Sequence, residues 1–189
     1  MITKTDAAER QLNTAIRLFF ENRDHLSSYA LAVASREVTD GVIHSRRREL
    51  YRRELARVTD PLKVRLSYRE VLKVLIKPEF YKDFLRLDRK WQNFFKHAVH
   101  DADVEIEPFT TKQLALVIST AIHNYTLLTQ HLTAEMATFF GWFAAAEPQL
   151  VNLAPGDVMN EAVDKIRSGI SGDPYDRDTL EKVYTAIRS

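Results

Sequence analysis

Asn93 and His97 stand four residues apart in the segment Trp91-Gln92-Asn93-Phe94-Phe95-Lys96-His97-Ala98. On a helix that spacing puts an amide and an imidazole on one face, while Trp91, Phe94, Phe95 and Ala98 turn toward a core. Histidine titrates near neutrality, so it suits a general base, a phosphate contact or a hydrogen-bond anchor, and a neighbouring amide can orient it. A helix-terminal histidine satisfied by its neighbour fits the same spacing with no function at all. His97, His100, Asp101 and Asp103 raise a metal site, since two histidines three apart on a helix can share an ion. Without HExxH or a comparable pattern, the acidic run from Asp101 to Glu107 reads better as a hydrated loop, and no metal is expected. His123 and His131, eight apart, are too distant to coordinate together and read as bundle residues. No GxxxxGK[ST], GxGxxG or GxSxG pattern occurs, and no cofactor is expected.

A second source of chemistry is charge. The formal net charge is only +1, yet residues 1–100 hold 21 Lys and Arg against 13 Asp and Glu, while residues 101–189 hold 6 against 13. Basic density peaks between Gly41 and Lys77, where Arg46, Arg47, Arg48, Arg52 and Arg53 open a stretch carrying +7. Gathered on one face, those side chains make a field suited to phosphate or to an acidic partner. The competing reading is a solvated helix neutralised by pairs such as Glu49 with Arg53, or by the acidic second half.

The elements that must position these groups are helical. The 189 residues include 5 Gly, 6 Pro and no Cys, with 45% hydrophobic and 28% charged residues. That composition fits one globular domain with a real core, and excludes disorder, disulfides and thiolate chemistry. No apolar run is long enough to cross a bilayer and none serves as an export signal, so a cytoplasmic protein without membrane contact is expected. Thr3-Lys4-Thr5-Asp6 is a capping box leading into Ala8, Leu12, Ala15, Ile16, Phe19 and Phe20 at helical spacing. A second helix starts near Asp24 with Leu26, Tyr29, Ala30, Val33, Ala34, Val38, Val42 and Ile43 as its stripe, and it runs past Arg46, continuing or bending. Asp60-Pro61 ends that run, and Ser67-Tyr68-Arg69-Glu70 caps a short helix up to Pro78. Further helices are expected from Glu79, from Thr110 or Thr111 with a stripe reaching Leu132, and from about Thr133 to Pro148. Two shorter ones follow, Asp157 to Arg167 and Asp176 to Arg188. The expected architecture is all-α: an antiparallel bundle of about five to six main helices over residues 1–147, with a linker and short helical C-terminal appendage over 148–189.

The alanine-rich Ser28-Tyr29-Ala30-Leu31-Ala32-Val33-Ala34 followed by Gln92-Asn93-Phe94-Phe95-Lys96-His97 resembles the HEPN superfamily of small all-α domains, in particular bacterial members with an NFFKHA segment. The resemblance covers about residues 5 to 145. It implies a homodimer with metal-independent ribonuclease chemistry at the interface, Asn93 matching the family's polar position and His97 its histidine. The family's arginine position is Gln92 here, and Arg89 lies outside the spacing. Glutamine cannot supply the permanent positive charge that steadies a phosphorane-like transition state. The expectation is therefore a HEPN-like dimeric binding module, non-catalytic, in a defence, stress or toxin-related role. RNA or nucleotide would be held by Arg46, Arg47, Arg48, Arg52, Arg53 and Lys96 near Asn93 and His97. The alternatives are a metal-independent ribonuclease using His97, and a structural or regulatory protein-interaction bundle.

Overall fold

The computed structural model describes residues 1–21, 23–56, 78–96, 105, 107, 110–148 and 159–188. Among the described residues there are eight α-helices and no strand: α1 (Lys4–Phe20), α2 (His25–Ser45), α3 (Arg47–Leu55), α4 (Pro78–Lys96), α5 (Thr111–Thr129), α6 (Ala134–Ala146), α7 (Met159–Gly169) and α8 (Arg177–Arg188). The chain is thus an all-α helical bundle. No helix among the described residues is long and apolar enough to cross a membrane. The expected break at Asp60-Pro61 and the capping box at Ser67 lie outside the described residues.

Helix α1 begins as its sequence dictates. The Thr3 hydroxyl accepts from the Asp6 N–H at 3.1 Å, and the Asp6 carboxylate accepts from the Thr3 N–H at 2.8 Å. Such a cap contributes about 1 kcal/mol. All six expected apolar residues are buried. Asp24 caps α2 by accepting from the Ser27 N–H at 3.0 Å. The two helices form a tight antiparallel hairpin in which the buried Ser28 hydroxyl donates to the Ala15 carbonyl at 2.8 Å, an approach that only small side chains allow.

The buried face of α2 differs from the apolar stripe. It comprises Ser28, Tyr29, Ala32, Val33, Ser35, Arg36, Thr39 and Ile43, while Leu26 is exposed. Three of the polar groups on this face are satisfied: Ser28 donates to Ala15, Thr39 donates to the Ser35 and Arg36 carbonyls at 3.0 Å, and Arg36 meets Asp88 of α4. Pro78 is the first residue of α4, a position where its missing N–H costs nothing.

Helix α5 is the central strut. Thr110 caps it in a reciprocal pairing with Gln113. Beyond its expected stripe it also buries Ala115, Leu116, Thr120, Asn124 and Leu127, so neighbours enclose it on nearly every side. It ends at Gln130, which adopts the left-handed conformation (φ 58°). Leu132 therefore falls past the helix and is exposed rather than striped into the core. Helix α6, capped by Thr133, supplies Phe139, Trp142 and Phe143 to an aromatic cluster with Phe19 and Phe20 of α1; the Phe19 and Trp142 centroids are 5.1 Å apart.

The C-terminal helices pack on this body. Val163 of α7 lies with Ala144 and Ala145, and Leu180, Val183 and Tyr184 of α8 join the main core, Tyr184 stacking on Phe20 at 5.0 Å. Buried Glu147 accepts from the Tyr175 hydroxyl at 2.7 Å and pairs with Lys112 at 2.6 Å, fastening the approach to α8 onto the start of α5.

Candidate nucleic-acid interface

The chain turns at Arg46 (φ −106°, ψ 16°), which ends α2 and starts α3. The arginine-rich piece thus bends away. Helix α3 is anchored to the bundle through Leu50 and Arg53. Leu50 is buried with Ile43 and Leu127, and Arg53 donates to the Leu127 carbonyl and pairs with Glu54 at 3.0 Å. Four-residue spacing puts Arg48 and Arg52 on the side away from Leu50, and both are exposed, as are Arg46 and Arg47. Among the described residues, the side chains of Arg46, Arg48 and Arg52 form no ion pair or hydrogen bond. Like charges at i,i+4 repel by a few tenths of a kcal/mol in a helix. A bound anion between Arg48 and Arg52 would turn that repulsion into attraction.

Four of the five expected arginines are thus brought together and displayed. Arg53 is not: its guanidinium is half-buried and serves as a peg for α3. Its carboxylate partner is Glu54 rather than Glu49, because Arg53 faces the body while Glu49 is exposed.

On α4, Asn93 is exposed and Trp91 is buried, as an amphipathic helix requires. Phe95 stays 42% exposed, yet its ring stacks on Tyr29 at 5.9 Å. Lys96 closes α4, and His97 lies outside the described residues together with His100, Asp101 and Asp103. Gln92, at the position where the resemblance calls for arginine, donates to Asp88 at 2.9 Å. His131 is exposed and His123 is half-buried on α5. No group of three or more metal-ligating side chains occurs among the described residues.

The geometry separates the two halves of the expected site. Tyr29, near the start of α2, touches Asp88 and Phe95 of α4, whereas Arg46 closes the other end of α2. Seventeen residues of α-helix span about 25 Å. Within one chain the arginine face and the Asn93 face are therefore distinct surfaces.

Sequence reasoning missed the buried polar network between α2 and α4. Asp88 accepts from Tyr29 Oη at 3.0 Å, Arg36 Nη2 at 3.1 Å and Gln92 Nε2 at 2.9 Å. Near it, half-buried Asp40 accepts from Asn124 Nδ2 at 2.8 Å, and burial holds its carboxyl above the usual range against the opposing pulls of Arg36 and Asn124. A signal was present: Asp88 falls four after Phe84 and three before Trp91, in phase with the apolar stripe. Comparison with family models, curated proteins and solved structures finds no match.

Proposed function

We propose that this chain is a non-catalytic binding module, HEPN-like and acting as a homodimer in a defence, stress or toxin-related setting, which holds RNA or nucleotide phosphate on the outer face of α3. The observation that carries the binding is the set of exposed guanidiniums of Arg46, Arg48 and Arg52, unpaired among the described residues, on a helix whose opposite side is pinned to the bundle. Guanidinium presents a planar fork that matches phosphate oxygens. Binding rather than cleavage is favoured because Gln92 is engaged by a structural carboxylate and because the arginine face lies far from Asn93.

Fluorescence anisotropy of a labelled RNA, titrated at several salt concentrations, tests this reading. Each phosphate contact adds close to one unit to the slope of log affinity on log salt. The expected result is salt-sensitive binding that collapses in Arg48→Glu/Arg52→Glu while circular dichroism stays unchanged. Affinity independent of salt, or equal in the double variant, overturns it. RNA cleavage by the wild type that disappears in His97→Ala would replace the non-catalytic reading with the ribonuclease one.

A further inference from the structure

Tyr51 interrupts the arginine face. It follows Arg48 by three residues and precedes Arg52 by one, so its ring emerges beside the outward guanidiniums. The side chain is 42% exposed. Among the described residues its hydroxyl makes no hydrogen bond and its ring packs on no other ring. Four other described tyrosines contrast with it. Tyr29 bonds Asp88, Tyr125 bonds Glu9, Tyr175 bonds Glu147, and Tyr184 stacks on Phe20. Tyr51 is therefore a large flat surface held up to solvent between positive charges, on a helix whose backbone is fixed from behind by Leu50 and Arg53.

Resting on the reading of α3 as a phosphate-binding face, we propose that Tyr51 is a base-stacking platform and that the ligand is single-stranded nucleic acid. An unpaired base lies on the Tyr51 ring while Arg48 and Arg52 hold the flanking phosphates. A duplex buries its base faces in its own stack and offers Tyr51 nothing to cover, so arginine contacts alone would not discriminate between the two forms. Stacking on an aromatic side chain tolerates any base, so the preference is for strandedness and not for sequence.

The test compares a short labelled oligouridylate with an RNA duplex of equal length, using the full chain. Wild type is expected to bind the single strand more tightly. Tyr51→Ala should lose about fivefold or more of single-strand affinity with its salt slope unchanged, which is the low end of what one stacked base supplies. Tyr51→Phe should retain it. Arg48→Glu/Arg52→Glu should lose binding to both forms. Salt-sensitive binding that ignores Tyr51, or that favours the duplex, overturns this inference and leaves the phosphate reading standing. Salt-independent binding, or none, removes both. Equal displacement of the RNA by polyglutamate from wild type and Tyr51→Ala identifies an acidic protein surface as the ligand and overturns it as well.

Discussion

Replacing Asp88 by alanine removes the acceptor of three side chains at once and leaves the Arg36 guanidinium without its nearest carboxylate. Arg36 and Asp88 are only 3% and 4% exposed, and their closest atoms are 3.1 Å apart. Breaking a buried pair from one side costs about 3–5 kcal/mol, because the remaining charge keeps its desolvation penalty. Asp40, one turn further along α2, also attracts Arg36, which moves the expectation for Asp88→Ala to about 3 kcal/mol, the lower end of that range. Against a domain stability of about 5–15 kcal/mol that loss is large. Urea unfolding at constant m reads it directly. The same reasoning makes a second demand: Arg36→Met/Asp88→Leu removes both charges and fills the space, leaving Tyr29 and Gln92 without the carboxylate they donate to, so it should be more stable than Asp88→Ala. Arg17 and Glu135 form a control pair with 47% and 21% exposure, for which Glu135→Ala should cost less than about 1 kcal/mol. An Asp88→Ala cost as small as that control, or a double variant as unstable as the two single changes summed, would refute the account of the α2–α4 contact.

Asp40→Asn keeps an oxygen to accept from Asn124 and discards the ionised form that burial disfavours. A carboxyl whose folded pKa is raised contributes stability below its unfolded value of about 4 and loses it as the pH climbs through the folded value. The variant should therefore melt higher than wild type at pH 7, with the gap closing toward pH 4; about 2–4 °C corresponds to each kcal/mol in a chain of this size. A gap that stays constant or widens on acidification would count against the burial argument. Trp142→Phe is the other informative change, since the Trp142 Nε1–H is buried in the aromatic cluster without a hydrogen bond among the described residues. Removing an unsatisfied donor offsets part of the lost packing, so the cost by chemical denaturation should stay below about 2 kcal/mol, short of the 3–5 typical of a full truncation to alanine.

Helices were legible wherever apolar period and punctuation agreed. Thr3, Asp24, Thr110 and Thr133 each cap the helix that their position implies, and the apolar spacing of α1 and the core of α5 translates directly into burial. The face of α2 was not legible, because hydrophobicity alone ranks Leu26 above Arg36. Arg36 goes inside only because α4 brings a carboxylate and α2 itself brings Tyr29 to the same place, a coincidence of three side chains up to 59 residues apart. The end of α5 was misread for a local reason: no glycine marks the stop, and Gln130 takes the left-handed conformation that glycine would ordinarily announce. The displayed arginines could be named from the sequence. Their orientation could not, since it depends on the turn at Arg46 and on Leu50 and Arg53 reaching Ile43 and Leu127.

That anchorage explains why the outer face of α3 is free to bind. A nine-residue helix is too short to hold its shape alone in water, so α3 exists because one side of it is docked. Docking uses a single buried leucine and the guanidinium of Arg53, which spends one of five arginines on structure and leaves the rest outside. The mutual repulsion of Arg48 and Arg52 is tolerated because the cost is a few tenths of a kcal/mol, far below what burying Leu50 returns. Were these arginines only a solubilising surface, interleaved acids would remove that cost. Exposed Glu49 instead leaves Arg46, Arg48 and Arg52 unpaired among the described residues, so the helix keeps a positive field that an anion of matching spacing can neutralise.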